Sequence, residues 1–282
     1  MSTVLATPPV AAPSASRSRP PRADPTAGAV TLPRAALSEW VKFRTLRSSW
    51  LMLLASFLAM VGIAAAVGYN TGKHWAGLAP EDSAPSGGLQ GFLLAMLFVG
   101  VLGVLFVTGE YGTGMIRSTL AAVPKRVPVV IAKTFVFAGI ALLAMIPASL
   151  AAFGTAQAFL SHYGHGTSLT DPGVLRVVLG TGVFLALLGL LGSAIGWMVR
   201  STAGGISTFV GLVLVLPLLT GLLPGSIGTT LTHYLPSNAG ESFIKSVHTP
   251  GTLGAWTGLL VLVGWVAAAL AVAAVQLRRR DA

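Results

Sequence analysis

The sequence predicts an all-α membrane protein with six transmembrane helices, an N-terminal interfacial helix and both termini in the cytoplasm. Three observations predict this fold class: long charge-free stretches, the placement of the basic residues between them, and the composition. A helix rises 1.5 Å per residue, so about 20 residues cross a hydrocarbon core of roughly 30 Å. Six stretches of at least that length contain no Asp, Glu, Lys, Arg or His: residues 50–69, 89–109, 134–160, 177–199, 203–223 and 253–277.

The composition is that of a membrane protein rather than a soluble domain. Of the 282 residues, 54% are hydrophobic and 9% are charged, whereas soluble domains contain about 25% charged residues. There is no cysteine, which excludes disulfides, thiolate catalysis and cysteine-ligated metals. The first apolar stretch begins only near residue 50, so it is predicted to be a retained span rather than a cleaved signal peptide.

The basic residues predict the orientation. The formal net charge is +10, and of the 18 Lys and Arg residues only Lys73, Arg176 and Lys245 fall in the loops opposite the N-terminus. The positive-inside rule therefore places both termini in the cytoplasm. We interpret the basic excess as an orientation signal that also meets anionic lipid headgroups, and we expect no nucleic-acid partner.

Two regions are distinguished along the chain. Residues 1–33 contain seven prolines and almost no large apolar side chains, which predicts a disordered cytoplasmic tail. Residues 34–280 form the predicted six-span domain. The loop at residues 224–252 contains apolar pieces at 227–235 and 243–247, which can hold short outer-leaflet or re-entrant helices. Non-helical backbone at membrane depth has to be covered by protein or a wet cavity, so such pieces would line something.

The segment before the first span is a candidate interfacial helix. Trp40, Phe43, Leu46 and Trp50 project within about a third of a helical wheel, and such a helix fits the headgroup layer. Glu39 falls on the same apolar arc, so the amphipathicity is imperfect. The alternative is a basic, aromatic flank that anchors the first span.

The loop after the second span is the strongest candidate for function. Glu110 lies at the inner edge of the span, Gly112 and Gly114 loosen the chain, and residues 113–123 can form three helical turns that end at Pro124. One face of this helix carries Ile116, Leu120 and Val123, and another carries Thr113 and Arg117. The helix either transmits motion from a cytoplasmic protein to the second and third spans or lies on the membrane; the residues alone leave both open.

Four packing features are expected within the spans. Pro147 and Pro217 each remove a backbone hydrogen bond, which predicts kinks in the third and fifth spans. The pairs Gly192/Gly196 and Gly254/Gly258 have the four-residue spacing that lets helices approach closely.

No residue pattern predicts catalysis or a bound cofactor. All five histidines lie in the loops predicted to face outward. Gly72-Lys73 does not complete a phosphate-binding loop, because Val67 stands where the first glycine is required. Ion-coupled transporters usually keep a charged residue within the bilayer, and the predicted spans keep none. If the chain moves a cargo, the energy is therefore expected to come from a partner.

Three segments carry a family resemblance: LSEWVKFRTLRSSW at residues 37–50, TGEYGTGMIRSTLAAVPKR at 108–126 and YLPSNAG at 234–240. With them the chain resembles the membrane subunit of a type-2 ATP-binding-cassette (ABC) transporter, in the branch common in actinobacteria. The likeness covers roughly residues 34–280. Many relatives have Arg where this sequence has Gly112, a departure that is expected to alter the contact with the ATPase.

The resemblance implies the partners and the site residues. Two six-span subunits, alike or different, would pair in the membrane, and separate cytoplasmic subunits would bind ATP and Mg; no cofactor would bind this chain. The implied ATPase-docking residues are Glu110, Thr113, Ile116, Arg117 and Leu120. The implied elbow-helix residues are Glu39, Trp40, Lys42 and Arg44, and the implied outer-loop residues are Pro236 and Asn238.

The favoured interpretation is a permease subunit of an ATP-driven exporter in the bacterial plasma membrane, without an ATPase site of its own. A charge-free lining suits a lipid-like, drug-like or amphipathic cargo, moved by alternating access. The alternatives are a partner-independent secondary transporter or channel, and a non-transporting membrane scaffold. On the favoured interpretation, substituting Glu110 or Ile116 is expected to uncouple transport and to leave membrane insertion intact.

Overall fold

The computed structural model describes residues 32–75, 87–116, 127–224, 226–248 and 251–279, and all regular structure in these ranges is helical. The first five helices are α1 (Leu32–Thr45), α2 (Arg47–Lys73), α3 (Phe92–Gly112), α4 (Val127–His162) and α5 (Val174–Val199). The next span consists of α6 (Thr202–Val210), a π-helical turn (Gly211–Val215) and α7 (Leu216–Gly221). The last three helices are α8 (Ser226–Tyr234), α9 (Pro236–Ile244) and α10 (Ala255–Arg279).

All six predicted spans are present as helices long and apolar enough to cross a membrane. Most extend beyond the predicted limits; α4 begins at Val127 rather than at residue 134 and so includes Lys133. α4 also continues unbroken through Pro147, whereas Pro217 follows the π-helical turn at the start of α7. The predicted tail lies outside the described residues, except that Leu32 and Pro33 already belong to α1.

Successive spans run in opposite directions, so their connections gather at two ends of the bundle. At the terminal end, which holds α1 and the end of α10, the side chains of Val107, Val129, Trp197 and Leu277 meet in one apolar cluster. At the loop end, α8 and α9 lie between α7 and α10. That the terminal end is cytoplasmic remains a prediction from the basic residues.

Close helix crossings occur at glycines that the sequence singled out. Gly192 lies against the backbone of Gly100 in α3, and Gly196 lies against Val104 of the same helix. A Cβ at Gly258 would meet the carbonyl of Ala239 in α9, whereas Gly254 has only the Thr257 hydroxyl nearby. Three of the four glycines therefore serve close packing, and the partners are α3 and α9.

The long connection before α10 contains two short helices, as expected. α9 starts with Pro236 at its first turn, after an extended Leu235; proline is favoured there because that amide has no intrahelical acceptor. The predicted second apolar piece, residues 243–247, is not itself a helix, since α9 ends at Ile244. At this end, Arg176 of α5 donates hydrogen bonds to the carbonyl oxygens of Phe243 and Lys245.

Candidate functional site: a buried ionic cluster

The inner face of α1 is fixed to the bundle by an aromatic contact. Phe43 is fully buried, and its ring lies edge-on to Phe106 of α3 at 5.8 Å and to Trp50 of α2 at 6.0 Å. Edge-to-face pairs at this spacing add about 0.5–1.5 kcal/mol to the burial of their area. Phe43 therefore positions the helical turn on which Glu39 and Lys42 stand.

Four charged side chains meet beneath α1: Glu39 and Lys42 of α1, Glu110 of α3 and Lys133 of α4. We call them the ionic cluster. Lys133 Nζ lies 2.5 Å from Glu39 Oε2 and 2.8 Å from Glu110 Oε1. Lys42 Nζ lies 2.8 Å from Glu39 Oε1 and 2.9 Å from Glu110 Oε1. Two cations and two anions make the cluster neutral, with each cation bridging both carboxylates.

Three members of the cluster are buried: Lys133 is 1% exposed, Glu39 2% and Glu110 6%. Buried charges are tolerated only when they are paired and hydrogen-bonded. The Lys133 ammonium has three donors and three acceptors: the two carboxylates and the Phe106 carbonyl oxygen at 3.3 Å. The same ammonium also lies 4.4 Å from the centre of the Phe106 ring, a favourable cation–π arrangement.

Lys42 is the partly exposed member of the cluster. Burial lowers its pKa, but hydrogen bonds and charge attraction from Glu39 and Glu110 together outweigh burial, so the pKa stands above its ordinary value. A lysine whose pKa is raised by folding stabilises the folded protein, and this contribution is fully present below the unfolded-state pKa of about 10.4. The contribution disappears as the pH rises through the folded-state pKa.

We therefore expect the stability difference between wild type and Lys42→Gln to be constant from pH 7 to 9 and to shrink above about pH 10. Thermal unfolding of both proteins in detergent across this range measures the difference. A difference that already shrinks between pH 7 and 9 would contradict the raised pKa of Lys42.

The cluster explains the carboxylate on the apolar arc of α1. Glu39 points into the bundle, where Lys133 of α4 neutralises it, 94 residues along the chain. The sequence does not predict the pairing, because the charge-free stretch of the third span begins at residue 134 and leaves Lys133 in the loop before it. The misplaced charge of Glu39 was the available signal that a buried cation lies opposite.

The loop after α3 differs from the expectation at Ile116. Ile116 is only 4% exposed and belongs to the apolar cluster of the terminal end with Val107, Val129 and Trp197. Gly114 has φ 72°, a backbone conformation that favours glycine, and the chain there turns back toward the bundle. In this structure the Ile116 side chain packs inside the bundle, so Ile116→Asp would disturb folding as well as any docking.

The other predicted site residues divide between the two ends. Thr113 is exposed and donates a hydrogen bond to the Gly109 carbonyl oxygen at 2.9 Å. Trp40 and Arg44 are exposed on α1. Pro236 and Asn238 are at the loop end, away from the ionic cluster. Arg117, Leu120 and most of the predicted helix at 113–123 lie outside the described residues.

The outer face of α1 borders an apolar groove. The groove has a volume of about 380 Å³ and lies between α1 and α4, where Leu37, Trp40, Phe135 and Leu143 line it. Leu37, Phe135 and Leu143 are each more than half exposed. α1 thus carries an ionic inner face and an apolar outer face.

Sequence comparison agrees with this architecture. The family model described as ABC-2 family transporter protein matches residues 36–217. The matched region begins within α1, includes all four members of the ionic cluster and ends at the start of α7. No curated protein matches the chain.

Proposed function

Because the chain belongs to the ABC-2 family of transporter proteins, we propose that it is the permease subunit of an ATP-driven exporter. The chain is a multi-pass membrane protein of that family with six candidate spans. Export, the cargo class and the energy source are the proposed part. The proposed cargo is lipid-like, drug-like or amphipathic, since the apolar spans suit such a molecule better than a small ion.

The observation that carries the proposed mechanism is the ionic cluster. Glu110 and Lys133 stand on either side of the connection between α3 and α4, and both are bridged to α1. A force applied to that connection is therefore passed to α1, α3 and α4 together rather than to one helix. We propose that an ATPase subunit docks on this connection and that its closure drives alternating access.

The proposed assembly contains further subunits. ATP and Mg would be bound by the cytoplasmic partner, and a second permease subunit, identical or different, would complete the translocation path. The position of α1 as an elbow helix in the headgroup layer is supported by its exposed Trp40 and its apolar groove. A bacterial plasma membrane with the terminal end in the cytoplasm, and the actinobacterial branch, stay predictions from the sequence.

The test begins with a search of the neighbouring genes for a Walker-type ATPase and continues with reconstitution of this chain with that ATPase. The two proteins are expected to co-purify in detergent, and in liposomes the complex is expected to hydrolyse ATP faster than the ATPase alone. Transport of a fluorescent lipid by the purified chain alone, without ATP, would instead support a partner-independent transporter. A complex that hydrolyses ATP and moves none of the candidate cargos would support a scaffold.

Glu110→Gln is expected to reduce the amount of cargo moved per ATP hydrolysed by about tenfold, within the usual range of coupling energies. The substitution keeps the side-chain shape but removes one of the two anions that both lysines share, so the link between the α3–α4 connection and α1 is weakened. Asp171→Asn, which changes an exposed carboxylate at the loop end, is the matched control. Equal transport per ATP in wild type, the Glu110→Gln variant and the control variant would refute the coupling role of Glu110.

A further inference from the structure

A small cavity at the loop end is lined by basic and hydroxyl side chains. It lies between the start of α5, the end of α9 and the start of α10, and has a volume of about 60 Å³. A cavity of this size admits several water-sized groups. Its polar lining consists of Arg176, Lys245, His248, Ser242, Ser246 and Thr252.

The Arg176 guanidinium is held in a fixed position at this cavity. One Nη donates to the Phe243 carbonyl oxygen and the other to the Lys245 carbonyl oxygen, the latter at 3.0 Å. A guanidinium has five N–H donors, so the two bonds recorded among the described residues leave three for another acceptor. A guanidinium that is already oriented loses little entropy when it binds an anion.

Charge at the cavity favours an anion. Arg176 and Lys245 supply two positive charges, and Glu241 pairs with Lys245, its Oε1 lying 3.2 Å from Lys245 Nζ. That pair is partly exposed, so it is weak and exchangeable. Guanidinium and ammonium groups are donors suited to the oxygen atoms of a tetrahedral anion.

We infer that this cavity binds a phosphate oxyanion, carried either by a phospholipid headgroup or by free phosphate. Arg176 and Lys245 provide the charge, and the remaining guanidinium donors of Arg176 and the Lys245 ammonium bind the anion's oxygen atoms. The binding site is separate from the ionic cluster at the opposite end of the bundle and does not depend on the proposed export function.

The test compares Lys245→Gln with Glu241→Gln in the full-length chain in detergent. Inorganic phosphate is titrated against chloride at constant ionic strength, and the dissociation constant is taken from the shift in melting temperature. Lys245→Gln is expected to weaken phosphate binding roughly fivefold, and Glu241→Gln to strengthen it roughly twofold, because Lys245 is then released from its carboxylate. Both substitutions break the same ion pair, so a merely structural role would change both proteins alike.

Native mass spectrometry with added phosphatidylglycerol distinguishes the two sources. If the wild-type protein retains the lipid, Lys245→Gln loses it and added phosphate displaces it, the anion is a phospholipid headgroup. Phosphate binding that lipid does not reduce identifies the free ion. Equal phosphate dissociation constants in wild type and both variants, or no stabilisation beyond that of chloride, would overturn the inference.

Discussion

Lys133→Met is expected to lower the free energy of unfolding by about 3–5 kcal/mol, the range for removing one partner of a buried ion pair. Lys133 is the cation that touches both Glu39 and Glu110 from inside the bundle. Without it, two buried carboxylates share only the partly exposed Lys42. The measurement is thermal or denaturant unfolding in detergent, followed by the fluorescence of the tryptophans.

Two companion variants test the cause of the loss. Lys245→Met removes a lysine from an exposed pair and is expected to cost at most about 1 kcal/mol. Adding Glu110→Gln to Lys133→Met restores charge balance and is expected to recover part of the stability. If Lys133→Met were as stable as wild type, Lys133 would not hold the cluster together. If the double variant lost as much stability as the two single variants lose together, the two residues would not be coupled.

Gly103→Ala is expected to destabilise the protein by about 1–3 kcal/mol, the usual cost of overpacking. A Cβ at Gly103 would collide with the carbonyl oxygen of Gly189 in α5, so the two helices would have to separate. Backbone atoms cannot move aside as a flexible side chain can. Interfaces of small residues between membrane helices depend on this close approach.

Gly109→Ala in the same helix is the matched control. A Cβ there meets nothing within 4 Å among the described residues, and alanine is the better helix former by up to about 1 kcal/mol. The two substitutions add the same methyl group and are expected to change the melting temperature in opposite directions. A similar change at both positions would mean that the crossing of α3 and α5 tolerates the added volume.

The six spans could be predicted because their signal is local. Each charge-free stretch is long enough by itself to cross a membrane, and no knowledge of neighbouring helices is needed. The spacing of Gly192 and Gly196 predicted a close contact, but the partner, α3, depends on the arrangement of the helices.

The ionic cluster and the position of Ile116 could not be predicted in the same way. A helical wheel places Glu39 on a face but does not show that Lys133 of another helix lies opposite. Likewise, the periodicity of residues 113–123 gives Ile116 an apolar face, but whether that face covers the chain itself or a partner depends on the turn at Gly114. Both are consequences of tertiary packing.

The unequal burial of the spans has a mechanical consequence. α3 and α5 are mostly enclosed and interlocked through backbone contacts at glycines, whereas α2, the α6–α7 span and α10 expose most of their apolar surface. Shearing the enclosed pair would open voids and break many contacts at once, while the outer helices can tilt against lipid at little cost. We therefore expect conformational change in this subunit to consist of tilting of the outer helices relative to a rigid pair formed by α3 and α5.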